Sequence, residues 1–296
     1  MDPLIIEVAL NGATDPGRNP HVPRTIDEIV ADGCACVAAG ASIVHLHGDD
    51  SILAARHSAE PYRQSWHRIR QQCPEVILYP TMGSGGPHTT PQERYAHIEE
   101  LADEGLLELS ILDPGSVSLG PRDSEGLPMA IDFVYQNTFA DVRYMAEVCC
   151  RRQLGVHLSI FEPGFLRVAL DYHRAGRLPP ALKVQLYFGG PALPFGLPPT
   201  VTSLDAYLAM LGDSGLPWMV GVLGGDVMGP LAEAAVRRGG HIRVGLEDYD
   251  GPRTPTNREL VAEVVDLARR GGRRVATPAE AATILRLRRP AASLEP

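Results

Sequence analysis

The chain is poor in lysine, in net positive charge and in long apolar runs, and each shortage excludes some classes of protein function. Lys183 is the only lysine among 27 basic residues, so a mechanism that forms a Schiff base has a single candidate. The formal net charge of −9 argues against a nucleic-acid partner, which requires a basic face. No apolar run approaches the roughly 20 residues that cross a bilayer, and the N-terminus MDPLIIEVAL lacks the basic start of a signal peptide. We therefore expect a cytoplasmic protein without a membrane or nucleic-acid partner.

Apolar runs of strand length alternate with helical patterns along the chain. Eight strands are predicted: Leu4–Asn11, Ser42–Gly48, Val76–Thr81, Leu107–Leu112, Gly155–Phe161, Leu182–Phe188, Trp218–Leu223 and His241–Glu247. Most are continuous apolar runs, which are typical of parallel strands buried on both faces. A helical segment follows each strand, and four helices begin with a threonine that precedes a glutamate by three residues, at Thr25, Thr90, Thr256 and Thr277.

Eight strand–helix units in 296 residues predict an α/β fold of the (β/α)8 TIM-barrel type. The competing doubly wound sheet usually carries a glycine-rich dinucleotide fingerprint after its first strand, and ALNGATDPGRNP is not one. Because no linker or repeat interrupts the pattern, we expect a single domain over residues 1–296 with a short C-terminal helix. Barrel enzymes place their chemistry at the C-terminal ends of the strands.

The second strand ends in IVHLHGDD, which places two histidines at the expected catalytic rim. His45 and His47 are two residues apart and so project from one face of the strand. Two imidazoles are a partial ligand set for zinc, which takes three protein ligands when it is catalytic. Glu247, at the end of strand eight, is the expected third ligand because strand one alone separates strands eight and two. We expect Asp49 and Asp50 to support the ligands or face solvent, since the chain turns there.

Strand eight also carries an arginine beside two acids, in the sequence RVGLED. Arg243 and Glu247 share a face by the strand period of two, whereas the direction of Asp248 is open. Such a group is either a buried salt bridge or a charge pair in which the arginine tunes the proton affinity of the acid. The residues alone leave both interpretations open.

Two further strand ends offer hydroxyl and backbone N–H groups. Thr81 precedes the run Gly83-Ser84-Gly85-Gly86, which is either a nest for a carboxylate or phosphate group or a flexible turn. Ser110 occupies a similar place at strand four. These residues are candidates for substrate contacts, and the motifs by themselves do not decide between the alternatives.

With these features the chain resembles the β-keto acid cleavage enzymes, zinc-dependent barrels first seen in the cleavage of 3-keto-5-aminohexanoate. The resemblance covers most of the chain and rests on segments that occur in the family's order: LNGATD, NPHVPRTIDEI, AGASIVHLHGDD, LELSILDPGSVSLG, YQNTFADV, GGHIRVGLED and RRVATPAEAATIL. It implies an acyltransferase that converts a β-keto acid and acetyl-CoA into acetoacetate and a new acyl-CoA. It also implies Zn2+ as cofactor and a homo-oligomeric assembly.

Matched residue by residue, the resemblance assigns roles to nine side chains. It implies zinc ligation by three of them, His45, His47 and Glu247. It implies that Asp248 acts with Arg243 as the proton-abstracting pair. It places four residues at substrate-binding positions: Thr14, Thr81, Ser84 and Ser110.

The chain departs from the family pattern at three places on the rim. Gly48 and Asp49 stand where the family commonly has an apolar residue and an arginine, and Gly224-Gly225-Asp226 replaces a GR pair. Thr14 stands where the member that uses an amino substrate has a glutamate. Two cations are missing and an acid is added. An amino-keto acid is therefore disfavoured as substrate, although Asp49 or Asp226 could supply a replacement acid.

Three other functions are compatible with these residues. The same ligands suit a different zinc barrel reaction, such as metal-dependent aldol cleavage or hydrolysis. A Schiff-base aldolase would have to use Lys183, which lies near the start of strand six and hence at the wrong end. The missing rim arginines also allow a non-catalytic metal-binding homologue.

Overall fold

The computed structural model of the protein describes residues 1–48, 54–84 and 88–288. Its eight parallel strands are β1 (Ile6–Ala9), β2 (Ile43–Leu46), β3 (Ile77–Pro80), β4 (Leu109–Leu112), β5 (Gly155–Ile160), β6 (Leu182–Gly189), β7 (Trp218–Leu223) and β8 (His241–Val244). Its helices are α1 (Ile26–Ala39), α2 (Glu60–Gln72), α3 (Pro91–Asp103), α4 (Phe139–Arg152), α5 (Pro163–Arg174), α6 (Val201–Leu211), α7 (Pro230–Arg237), α8 (Asn257–Arg270) and α9 (Pro278–Ile284).

The strands form one sheet that is curled into a nearly closed barrel. Hydrogen-bonded neighbours follow the order β3-β2-β1-β8-β7-β6-β5-β4, and a helix follows each strand. The (β/α)8 barrel predicted from the sequence is therefore confirmed, and so is the short C-terminal helix, α9. β1 lies between β2 and β8, with Ala9 opposite His45 and Val8 opposite Val244. The C-terminal ends of β2 and β8 thus flank the end of β1.

Strand β8 ends three residues earlier than the apolar pattern predicted. The cause is Gly245, which has a φ of +140° and whose missing side chain would otherwise collide with the backbone of Ala9. The amides of Asp248 and Tyr249 both donate to the carbonyl of Gly245, 3.1 and 3.0 Å away. Glu247 and Asp248 consequently lie on a tight turn, where the strand period of two no longer applies.

The four helix starts predicted from threonine and glutamate are all present as capping boxes, at Thr25, Thr90, Thr256 and Thr277. A fifth box at Thr138 uses Asp141 in place of glutamate and escaped the sequence analysis. In each box the threonine hydroxyl accepts a backbone N–H that the helix leaves unpaired.

All five cysteines are free thiols. Burial raises the pKa of Cys149 to about 11, so this thiol is unreactive at neutral pH. Among the residues that the structure describes, no helix is both long and apolar enough to cross a bilayer.

The interior of the barrel is unusually polar. Bulky branched side chains normally fill this space, and here seven buried polar residues lie on the strands and make contacts inside it: Glu7, His45, Tyr79, His157, Lys183, Gln185 and Arg243. The apolar core instead packs between the strands and the helices. Burying so many charged groups is costly unless they pair with one another.

Candidate metal centre and active site

Three side chains meet at the C-terminal rim in the way the sequence predicted. Nε2 of His45 lies 3.3 Å from Oε2 of Glu247, and Nε2 of His47 lies 3.4 Å from Oε1 of the same carboxylate. One ligand atom from each residue lies within 4.8 Å of the others. Two donors bound at 2.0–2.1 Å to a tetrahedral zinc ion are about 3.3 Å apart, so the spacing suits that ion.

The donor atoms of this cluster are also available for a metal. Within the described part of the chain, neither ring nitrogen of His47 has a hydrogen-bond partner, and Oε2 of Glu247 has none either, although these atoms are buried. Buried polar atoms are rarely left without a partner. Nδ1 of His45 lies 3.3 Å from the carbonyl of Tyr79, which suits a tautomer that leaves Nε2 free to bind. The residues therefore fit a divalent metal ion.

The loop after β1 makes room for the carboxylate. Gly12 has a φ of +51°, and a Cβ at this position would collide with the side chain of Glu247. The preceding Asn11 ties the same loop to the second histidine, because its side chain accepts from the amide of His47 at 2.9 Å and donates to its carbonyl at 3.1 Å. The loops after β1, β2 and β8 are therefore fixed relative to one another.

Arg243 lies directly beneath the cluster and binds both acids of the following turn. Its Nε and Nη2 donate to the two oxygens of Asp248 at 2.8 and 2.9 Å, a bidentate geometry. Nη2 also lies 3.1 Å from Oε1 of Glu247. The open direction of Asp248 is thus resolved: its carboxylate faces Arg243.

Burial and the neighbouring charges give Glu247 and Asp248 different pKa values. Burial raises the pKa of Asp248 to about 6, although the charge of Arg243 pulls it down. Burial also raises the pKa of Glu247, but His45 and Arg243 outweigh it, so this pKa lies well below its usual range. One acid is set to stay ionised, as a metal ligand must be, and the other to exchange a proton near neutral pH.

Three further residues reach this site that sequence reasoning did not assign to it. Glu7 is fully buried, and its Oε1 accepts from the Tyr79 hydroxyl at 2.6 Å and from Arg243 Nη1 at 3.1 Å. Its Oε2 accepts from the ammonium of Lys183. The signal was present, since an acid within the apolar run LIIEVAL must find a partner. Lys183 lies inside the barrel rather than on its floor or surface.

The four residues predicted to bind substrate take different places. Thr14 donates its hydroxyl to the carbonyl of Leu246, beside Glu247. Thr81 follows β3 directly and is half-buried, and Ser84 is buried in the same loop, where its amide donates to Ala54. All three belong to loops at the rim. Gly85 and Gly86 of the predicted nest, like Asp49 and Asp50, lie outside the described residues.

Ser110 is the exception, because it does not join the cluster. Its hydroxyl lies 2.7 Å from that of Tyr95 on α3, so the side chain faces the helix layer. Asp113, beyond the end of β4, is the acid that sequence reasoning missed there. It is buried, accepts from the Tyr135 hydroxyl, and has a pKa that burial raises.

Fold and site together define a (β/α)8 barrel with a candidate metal site at its rim and a buried acid–arginine pair. A family model described as beta-keto acid cleavage enzyme matches residues 3–287. The chain belongs to this family, which confirms the resemblance and the reaction class expected from the sequence, an acyltransferase that cleaves β-keto acids.

Known proteins agree with this placement. The 3-keto-5-aminohexanoate cleavage enzyme of Fusobacterium nucleatum is 30% identical over 98% of this chain and 100% of its own length. The 3-dehydrocarnitine:acetyl-CoA trimethylamine transferase of Rhizobium meliloti is 29% identical over 96% of each chain. Among solved structures, apo ObcA superposes with a TM-score of 0.67 at 17% identity, over 90% of this chain and 66% of that one, just under two thirds of its length. At that identity the likeness concerns the fold alone.

Proposed function

We propose that the protein converts a β-keto acid and acetyl-CoA into acetoacetate and a new acyl-CoA, at a zinc ion bound by His45, His47 and Glu247. The observation that carries the proposal is the contact of this cluster with the Arg243–Asp248 pair. A metal site and a base in direct contact are what proton abstraction beside a ketone requires. The Rhizobium meliloti relative, which is named for acetyl-CoA, supports the choice of co-substrate.

The charges of the site favour a bound cation. Three carboxylates, those of Glu7, Glu247 and Asp248, share the barrel interior with two cations, Arg243 and Lys183. One negative charge is left over, at the end where the two imidazoles stand. When bound there, zinc supplies a Lewis acid that polarises the keto oxygen.

The residues of the chain then handle the proton and the carbon–carbon bonds. Asp248 removes a proton from the substrate CH2 that lies between the ketone and the carboxylate. Arg243 holds the carboxyl group of Asp248 in place by two parallel hydrogen bonds. The resulting carbanion attacks the acetyl thioester and expels CoA thiolate. The thiolate attacks the original ketone, and the adjacent C–C bond breaks to give the new acyl-CoA and the carbanion of acetoacetate. Asp248 then returns its proton to this carbanion, which completes acetoacetate and restores the base.

The rim disfavours a substrate with an amino group. Thr14 is a neutral residue, and its hydroxyl donates to the carbonyl of Leu246, so it supplies no negative charge to an ammonium ion. Asp226, one of the two acids considered as replacements, accepts from the amide of Met228 at 2.9 Å and lies 3.9 Å from Arg253. Its charge is already partly balanced. We propose a β-keto acid without an amine, bound through Thr81 and Ser84.

Four properties of the whole protein complete the proposal. We propose that residues 1–296 fold as one domain, that the protein is cytoplasmic and that it assembles as a homo-oligomer. No nucleic acid or membrane takes part, in keeping with the net charge of −9.

A panel of β-keto acids tested with acetyl-CoA decides the function. We expect acetoacetate to form from at least one amine-free member, with loss of activity after chelation of the metal. Cleavage that does not depend on CoA would instead show an aldol or hydrolytic reaction. A protein that holds zinc but forms no acetoacetate from any member would be a non-catalytic homologue. Borohydride trapping on Lys183 would reinstate the Schiff-base route.

A further inference from the structure

The guanidinium of Arg243 has every one of its donors engaged. Nε and Nη2 bond to Asp248, and Nη2 also reaches Glu247. Nη1 donates to Glu7 at 3.1 Å and to the Tyr79 hydroxyl at 2.9 Å. An arginine side chain carries five N–H groups, and these five contacts account for all of them. Its orientation is therefore set from two sides, and only one side is the proposed catalytic site.

The second side is a separate buried pair deeper in the barrel. Glu7 and Lys183 are both completely buried, and the ammonium bonds directly to the carboxylate. Burial lowers the pKa of Lys183 to about 8, with Glu7 opposing the shift, so the lysine is charged at neutral pH. The carboxylate of Glu7 thus links the ammonium of Lys183 on β6 to the guanidinium of Arg243 on β8.

We propose that Glu7, held in place by Lys183, is the positioning residue of the reaction: it fixes Nη1 of Arg243 so that the opposite edge of the guanidinium aims at Asp248. The proposal rests on the function proposed above. Glu7 itself does not touch the substrate. It acts on the proton-transfer step through Arg243, and Tyr79 supports it by binding both residues.

A merely structural ion pair makes a different prediction from a positioning device. If Glu7 and Lys183 only balance each other, removing both charges together leaves activity intact, because buried ion pairs are often replaceable by neutral groups. If Glu7 orients Arg243, activity stays low even when the charge balance is restored. The double variant Glu7→Gln with Lys183→Met therefore separates the two.

The proton-transfer step can be measured without acetyl-CoA. The wild type, placed in D2O with a β-keto acid from the productive panel, should exchange the CH2 protons for deuterium through Asp248. The variants are Glu7→Gln, the double variant and Tyr79→Phe, which removes one acceptor from Nη1 without unpairing a charge. Glu108→Gln is the matched control, because it neutralises another buried carboxylate outside the site. Oε1 of Glu108 lies 3.5 Å from Nη2 of Arg70.

We expect Glu7→Gln to lower the exchange rate and kcat by about 10–100-fold, with zinc content and the KM for acetyl-CoA unchanged. The double variant should regain thermal stability over Glu7→Gln without regaining the rate. Tyr79→Phe should also slow exchange while keeping zinc, which provides a test if the charge variants do not fold. Glu108→Gln should exchange at the wild-type rate.

Different results would overturn the positioning role of Glu7 and the proposed function. Exchange at the wild-type rate in Glu7→Gln and Tyr79→Phe, or a full recovery of the rate in the double variant, would overturn the positioning role alone. Absence of exchange by the wild type would overturn the proposed function, and the positioning role with it.

Discussion

Two neighbouring rings fix the imidazole of His45, one against its face and one edge-on. The ring of Tyr79 stacks on it with centroids 4.5 Å apart and an angle of 26° between the planes, and the ring of His47 meets it edge-on at 5.3 Å. Its Nδ1 lies against a backbone carbonyl. Rigid ligands of this kind lose little conformational entropy when they bind a metal, so they raise affinity without adding contacts.

At this scale the first prediction concerns the ligands themselves. His45→Ala and Glu247→Ala should each lose most of the bound zinc, because each substitution leaves two of the three proposed protein ligands. Elemental analysis of the purified variants measures the loss.

Asp248→Asn is the matched control for these variants, since it alters the neighbouring acid without removing a ligand. It should keep its zinc while activity falls by about 10²–10⁴-fold through loss of the base. Zinc contents equal to the wild type in both His45→Ala and Glu247→Ala would refute the ligand assignment.

Between elements, the close approach of the loops after β1 and β8 determines where Glu247 stands. Gly12→Ala should weaken zinc binding, because a Cβ there would push the side chain of Glu247 aside. The left-handed backbone at Gly12 adds a strain of roughly 1–2 kcal/mol. Metal affinity, measured by competition with a chelator, reports the displacement, and chemical unfolding reports the strain.

Gly176→Ala tests the backbone strain alone, without any displacement of the Glu247 side chain. Gly176 has a similar φ of +64°, but a Cβ there meets nothing within 4 Å. The two variants should lose comparable stability, while only Gly12→Ala loses metal affinity. Equal zinc affinity in both would show that the loop gives way.

The elements also show what a sequence can and cannot predict. The eight strands, the four capping boxes and the place of Glu247 next to the histidines followed from apolar runs, threonine spacing and the order of strands in a barrel. The face of Ser110 did not. LELSILD alternates between apolar and polar residues, which puts Ser110 on the same face as Glu108, but both faces of the strand are buried and the pattern does not tell which one lines the barrel.

Contacts between side chains on opposite strands of the barrel are equally hard to predict from the sequence. Glu7 and Lys183 are 176 residues apart. An acid within the apolar run LIIEVAL needs a partner, but the sequence placed Lys183 at the wrong end of the barrel, and their pairing depends on how the curled sheet opposes β1 and β6. The turn at Gly245, which brings both acids to Arg243, likewise departs from the strand period that the sequence analysis applied.

Across the whole molecule, the barrel interior changes character from floor to rim. Near the rim, the acids and Arg243 form the charged site described above. Near the floor, His241 at the start of β8 is neutral: its Nδ1 accepts the amide of Ile5 at 3.0 Å, and burial lowers its pKa to about 3, aided by the charge of Arg273. One end of the barrel thus serves the proposed chemistry, and the other ties strands together.

That neutral histidine makes the fold sensitive to acid. Burial lowers the pKa of His241 to about 3 in the folded protein, whereas a histidine in the unfolded chain titrates at about 6.5, so between these values the unfolded chain holds more protons. The free energy of unfolding should therefore fall as the pH drops through this window, by up to about 1.4 kcal/mol per pH unit from this residue.

His241→Asn keeps an acceptor for Ile5 but does not titrate, and His67→Asn changes an exposed histidine of α2 as control. In urea unfolding of metal-free protein, the wild type and the control should lose stability more steeply than His241→Asn, whereas parallel curves for all three would contradict a buried neutral His241.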